Sequence, residues 1–229
     1  MAYMPCIPLA VKLPETADLR QAARYLGAPG EPDEQTLALL RRCAPPLMAA
    51  CRARAVYRQL STADLAQAGL LQGQDIARHL AGCTGGVLLA VTLGPGADGA
   101  IRRAGIGDVA AGAGTDALAS ALAEQAADAA EKLLAQHYQG QGLYLTGRYS
   151  PGYGDWPLAV QPLLARLLDT PRQIGLCVQE NCLMTPRKSI TALLGVAEHP
   201  VQGHRAGCAH CALRGRCEYR KRGKRCEDP

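Results

Sequence analysis

Residues 148–156 read RYSPGYGDW, and the groups gathered there are suited to binding rather than to bond breaking. Arg148 carries a guanidinium that can fork onto a carboxylate. Ser150-Pro151-Gly152 gives a stiff, extended backbone that is bare at Gly152, so a flat ring could lie against it. Tyr153 adds a planar face with a polar tip. These groups suit a zwitterionic ligand with an aromatic ring better than a phosphate. The competing reading is a structural corner between a strand and a helix. Proline and glycine exclude a helix interior or a central strand. Yet the window holds three of the nine aromatic residues of a chain that has no phenylalanine. On this reading Asp155 and Trp156 have no role.

Two further stretches bear on chemistry. Asp116, Ser120, Glu124 and Asp128 recur every four residues, which puts them on one face of a helix. That face is either solvated, the plain expectation for Asp128 and Glu131, or an acidic wall that attracts a cation. At the C-terminal end Cys208, Cys211, Cys217 and Cys226 cluster, with His204 and His210 nearby. Thiolates at that density suit zinc or an iron–sulfur cluster, and a basic tail without an apolar pattern needs such a staple to be ordered. The alternative is a basic tail with reactive thiols. TLGPGADGAIRR, by contrast, lacks both the G-x-G-x-x-G spacing and the Walker lysine of a phosphate cradle, and reads as a tight strand-to-helix turn.

The elements that must hold these groups follow from periodicity. Helices are expected from Thr16 to Gly27, over EPDEQTLALLRRC up to the Pro45-Pro46 pair, over GQDIARHLAG, and from Asp108 to Tyr138. The last of these carries an apolar stripe of Leu118, Leu122, Ala126, Ala129 and Leu133. GGVLLAVTLG, GLYLTGRY, QIGLCV and SITALLGVA read as strands, PLAVQPLLARLLD as a helix, and LMAACRARAVYRQL is ambiguous between the two.

The 229 residues suit one domain over 1–200 and a small basic, cysteine-rich appendage over 201–229. The net charge of +5 resides in that appendage, where eight Lys or Arg face one Glu between Arg205 and Cys226. The remaining cysteines, Cys6, Cys43, Cys51, Cys83, Cys177 and Cys182, are scattered and read as free thiols. No apolar run reaches the roughly 18 to 20 residues of a membrane span, and the N-terminal residues lack the pattern of a signal peptide, so the expected compartment is the cytoplasm.

Three stretches in order resemble the reactivation domain of cobalamin-dependent methionine synthase, and more closely its stand-alone relatives in anaerobic bacteria. They are HLAGCTGGVLLAVTLGPGADGAIRR with DALASALAEQAAD, then RYSPGYGDWPL, then VQENCLMTPRKSITALLG, together spanning about residues 79–198. The resemblance implies an α+β fold, a twisted antiparallel sheet with packed helices. It implies S-adenosylmethionine bound by Glu124, Arg148, Ser150, Gly152 and Tyr153, with Ser150 and Gly152 acting through their backbones on the adenosine and Tyr153 near cobalt. The task implied is to cap the corrin of a separate methionine synthase subunit or other corrinoid protein while cob(II)alamin is reduced, by a donor such as flavodoxin or ferredoxin, and methylated. Such chemistry needs positioning and water exclusion rather than a general base. That agrees with the lack of a convincing nucleophile–histidine–carboxylate set. Stand-alone relatives often end in a cysteine cluster.

Two other classes remain open to the sequence. One is a metal-stapled electron-transfer protein that serves another corrinoid system without S-adenosylmethionine. The other is a nucleic-acid-binding protein acting through the basic tail, which is disfavoured because Tyr219 is the only aromatic residue interleaved there.

Overall fold

The structure, a computed structural model, describes residues 5–27, 31–201, 203, 215, 221 and 223. In chain order the elements are β1 (Ile7–Leu9), α1 (Leu19–Tyr25), α2 (Glu34–Ala50), β2 (Arg54–Ser61), α3 (Thr62–Gln67), α4 (Gln74–His79), β3 (Gly85–Thr92), α5 (Pro95–Gly107) and α6 (Val109–Gln139). The second half holds β4 (Tyr144–Leu145), a 3-10 turn (Leu158–Val160), α7 (Gln161–Leu167), α8 (Thr170–Ile174), β5 (Cys177–Val178), β6 (Met184–Thr185) and β7 (Ser189–Ala197). One curled antiparallel sheet runs β1-β2-β3-β7-β4, and β5 and β6 form a separate small hairpin. The fold is α+β, as the sequence led us to expect.

Strand β3 lies at the centre and is buried at every position. Its apolar run is unbroken because both sheet faces are covered, the condition under which a strand need not alternate with polar residues. Val87, Leu89 and Val91 point into a core built with α1, α2, α5 and α6, whereas Leu88 and Ala90 point into a second core with α3, α4, α7 and α8. The first core is mostly alanine and leucine, and α6 contributes Leu118, Leu122, Ala126, Ala130, Leu134 and Tyr138 to it. The stripe therefore continues through Ala130 and Leu134, not through Ala129 and Leu133. Steps of four drift slowly around the helix axis, and such a drift keeps a long helix in contact with a curled sheet. Its start is as expected, since the Asp108 side chain accepts from Ala111 N.

The proline pair does not stop α2, which runs through Pro45 and Pro46 to Ala50. Both prolines are exposed, between the buried Cys43 and Leu47. The carbonyls of Arg41 and Arg42, which lose their helical donors, thus lie on the wet side where water satisfies them. The ambiguous stretch LMAACRARAVYRQL splits, its first residues completing α2 and its last forming β2. Helix α1 begins at Leu19 under an Asp18 cap, three residues later than Thr16. GLYLTGRY yields only the two residues of β4 and an isolated bridge from Tyr149 to Leu193. QIGLCV yields the end of α8 and the short β5.

Cys43 and Cys51 are buried, and burial pushes the Cys51 thiol up to about 11; Cys177 is exposed. The six cysteines among the described residues are all free. Cys208, Cys211, Cys217 and Cys226, with most of the expected appendage over 201–229, lie outside the described residues. Among those that are described, no group of three or more His, Cys, Asp or Glu is placed to hold a metal, and no helix is long and apolar enough to cross a membrane.

Candidate functional site

RYSPGYGDW begins at the β4 edge of the sheet and ends in the second core. Tyr153 N–H donates to the Ser150 carbonyl at 3.2 Å, with Pro151 second and Gly152 third at φ +92°. That is a type II turn, and its third position requires a positive φ. The side that Gly152 leaves bare does not open to a ligand ring, because Leu158 lies there: a Cβ on Gly152 would sit 3.5 Å from Leu158 Cδ1. Gly152 N–H donates to the Trp156 carbonyl at 2.9 Å. The groups that the turn itself does not use are the Ser150 N–H and the Pro151 and Gly152 carbonyls.

Asp155 and Trp156 fasten the turn. Helix α4 begins after Gly73, which has no side chain to cap it. Asp155 supplies the missing cap, accepting from Gln74 N at 2.7 Å and from Asp75 N at 2.9 Å. Asp75 answers by accepting from Asp155 N at 3.2 Å. These hydrogen bonds, with Arg78 nearby, hold the Asp155 carboxyl below the usual carboxylate range. Its contribution to stability is therefore present above the unfolded-state pKa and is lost as pH falls through the depressed folded value. Asp155→Ala should lower the thermal midpoint at neutral pH, and the gap from the parent should close in acid; an equal gap at both pH values would contradict the cap. Gly154, at φ +52°, sits so close to this clasp that a Cβ would collide with the Asp75 carboxylate and lie 2.5 Å from the Tyr149 hydroxyl. Trp156 is 1% exposed and donates its indole N–H to the Leu70 carbonyl at 2.8 Å.

With the turn held at that end, Arg148 reaches α6. Its Nη2 lies 2.6 Å from Asp128 and 3.4 Å from Glu124, and its Nε lies 3.4 Å from Glu131. Asp128 and Glu131 are thus not simply a solvated face. Arg148 Nη1 is buried and finds no hydrogen-bond partner among the described residues. Two turns earlier on the same helix face, Lys188 bonds to Ser120 at 2.8 Å and to Asp116 at 3.0 Å. Arg187 Nη2 also lies 3.8 Å from Asp116, so the acidic wall is stitched to the sheet by three cations, Arg148 from the loop segment RYSPG and Arg187 and Lys188 from TPRKS.

Around Arg148 opens a cavity of about 620 Å³, lined among others by Glu124, Glu131, Lys132, Ser150, Tyr153 and Ile190. The five expected binding residues are thus brought together in the turn and the facing helix, with Gly152 acting through the turn rather than on the wall. Tyr153 is 59% exposed, and its ring meets that of Tyr149 edge-on at 6.3 Å. Burial, with Glu124 and Tyr153 close by, raises the Tyr25 phenol, which marks the end of α1 as a neighbour of the site. The sequence reading did not include Tyr25 or Lys132, and it took Glu131, like Asp128, for a solvated face rather than a binding residue. Glu131 was within reach of it, since residues seven apart share a helix face; Tyr25 left no signal.

Burial raises the Glu124 carboxyl above its usual range; Arg148 opposes this and Asp128 adds to it. For folding, Glu124 thus contributes stability at low pH that is lost as pH rises toward the raised folded value. A cation bound beside it has the opposite dependence. Its affinity should rise with pH through the Glu124 titration and then level off, and Glu124→Gln should flatten that rise. Calorimetry from mildly acidic to neutral pH checks this.

The chain shares the fold of a methionine synthase domain. Its structure aligns with a crystal structure of the MetH reactivation domain bound to AdoHcy, with a TM-score of 0.56 over 97% of this chain and 87% of that one. Sequence identity is 14%, so the likeness is one of fold. No protein-family model matches the sequence, and no curated protein matches it.

Proposed function

We propose that this chain binds S-adenosylmethionine in the Arg148 cavity and acts as a reactivation module that docks on a separate corrinoid protein. The observation that carries the reading is the Arg148 guanidinium, with a buried, unpartnered Nη1, set among three carboxylates beside the Ser150–Tyr153 turn. An amino-acid zwitterion needs that pairing: a fork for its carboxylate and acids for its ammonium. The shared fold with a domain captured with AdoHcy supports the same ligand class.

In this reading Arg148 takes the ligand carboxylate, Glu124 its ammonium, and the free backbone groups of Ser150 and Gly152 its nucleoside. Tyr153, exposed at the cavity, offers a flat face against which a corrin fits. Cobalamin, held by the partner, supplies a nucleophilic metal. The residues of this chain orient the sulfonium methyl and exclude water, so the contribution is proximity rather than acid–base catalysis. The enzymatic role is that of a methyltransferase-associated module, and the reductant is a donor of the flavodoxin or ferredoxin kind.

The test is a titration with S-adenosylmethionine. The single tryptophan reports directly, because Trp156 closes the turn and its ring lies 6.1 Å from that of Tyr149. Saturable change in its fluorescence, matched by heat in calorimetry, is the expected result. Absence of binding with and without a corrinoid protein overturns the reading and favours an electron-transfer role.

A further inference from the structure

The acids of α6 hold Arg148 from the cavity side, but the direction from which it enters is set by two buried residues outside the cavity wall. Thr146, two residues earlier, is 2% exposed, and its hydroxyl oxygen has three polar neighbours. Gly195 N–H donates to it at 2.7 Å, the Gly147 carbonyl lies 3.0 Å away, and His79 Nε2 lies 2.9 Å away. A threonine hydroxyl has one proton and two lone pairs, and Gly195 takes one of the lone pairs. All three contacts are satisfied together in one way. The proton goes to the Gly147 carbonyl, and His79 carries its hydrogen on Nε2 and donates to the second lone pair. The Gly147 carbonyl belongs to the same planar peptide group as the Arg148 nitrogen, so this hydroxyl fixes the plane that leads into the arginine.

His79 also meets the other flank. Its ring lies 5.0 Å from that of Tyr149, and Tyr149 is tied to Leu193 through both its N–H and its carbonyl. The chain beyond β7 passes over the imidazole: a Cβ on Gly203 would sit 2.9 Å from His79 Nδ1 and 2.8 Å from Thr146 Cβ. Water is thereby kept from the hydrogen bond between them. His79 is the last residue of α4, whose first turn Asp155 caps, so one short helix grips the chain on both sides of the binding turn. Packing alone does not call for an imidazole there, because an apolar ring would fill the space with no buried polar group to satisfy.

We propose that His79 is a positioning residue for the Arg148 site: through the Thr146 hydroxyl it orients the Gly147–Arg148 peptide, and with it the line along which the guanidinium reaches the cavity. Where affinity is the readout, the inference rests on the reading that the cavity binds S-adenosylmethionine; where the arginine itself is observed, it does not. A guanidinium forks onto a carboxylate only in one orientation, so a small turn of the peptide costs affinity without unfolding the protein.

Two substitutions separate the hydrogen bond from the packing. His79→Phe keeps a ring against Tyr149 and removes the donor. His79→Gln loses the ring but carries an amide N–H as many bonds from Cα as Nε2. Affinity for S-adenosylmethionine is measured by calorimetry on the full chain, beside a thermal melt. His79→Phe should bind about three- to tenfold more weakly than the parent, and His79→Gln should lose no more than about twofold although it melts lower than His79→Phe. Thr146→Val removes the hydroxyl itself and should lose as much as His79→Phe, which keeps the test decisive if the latter does not fold. Without ligand, the Arg148 Nε–H signal in heteronuclear NMR is identified by its loss in Arg148→Lys. It should stand apart from the position of free arginine in the parent and in His79→Gln, and move toward that position in His79→Phe and Thr146→Val. The proposal is overturned if affinity follows the melting temperatures, if His79→Phe and Thr146→Val bind as the parent does, or if the Arg148 signal is the same in all. Failure of the parent to bind removes the reading of the cavity, and the Arg148 signal then decides the positioning role by itself.

Discussion

Arg148→Ala should reduce affinity for S-adenosylmethionine by at least about a hundredfold, roughly 2.7 kcal/mol, while leaving the protein folded. The guanidinium is 15% exposed, so its charge acts at the cavity wall with little screening. Its loss acts twice. The ligand carboxylate loses its fork, and Glu124 loses the cation that opposes the upward push of burial, so its carboxyl rises further. Arg148→Lys should recover part of the affinity, because an ammonium restores the charge but not the fork. The three ion pairs involve partly exposed acids and should each be worth no more than about 1 kcal/mol to folding. Calorimetry with a parallel thermal melt separates the two effects. Unchanged affinity in a folded Arg148→Ala protein would remove the arginine from the site.

Trp156→Ala should be the most destabilising single substitution in the turn, costing about 4 kcal/mol. The indole is buried in the second core, and its removal also leaves the Leu70 carbonyl with one donor, Gln72 N–H, instead of two. Against a total stability of roughly 5–15 kcal/mol, that places the variant near the edge of folding at room temperature. Trp156→Phe keeps most of the packing and loses the hydrogen bond, so about 1–2 kcal/mol is expected. Urea denaturation followed by circular dichroism measures both, since the only tryptophan is gone from each variant. A cost below about 2 kcal/mol for alanine would show that the indole is not an anchor. Loss of ligand affinity in the folded Phe variant would show that the turn transmits the strain to Arg148.

The central strand and the long helix were legible because their signals are local. β3 is a glycine-bounded run of aliphatic residues, and α6 has both an Asp108 cap and a sustained period. The Pro45-Pro46 pair misled because a proline's cost depends on where the freed carbonyls point, and sequence does not say which side of a helix is wet. The pairing of Arg148 with Glu124 was not deducible from spacing; only family resemblance brought the two together, and geometry added Asp128 and Glu131. Asp155 was opaque for the same reason: the helix it caps lies 80 residues earlier, so its role exists only once the second core has formed.

Helix α6 presents Asp116 and Ser120 to Lys188, and Glu124, Asp128 and Glu131 to Arg148, along one unbroken run of 31 residues. The helix therefore acts as a phase reference for two loops that never need to touch. Adding or deleting one residue between Ser120 and Glu124 would rotate everything downstream by about 100°, taking the Arg148 acids off the face that Lys188 still holds. An insertion of seven residues returns the phase to within about 20°, but moves the acids about 10 Å along the axis. Length changes in this chain are thus tolerable at the ends of α6 and not in its middle, so the two loop segments must evolve at a fixed separation.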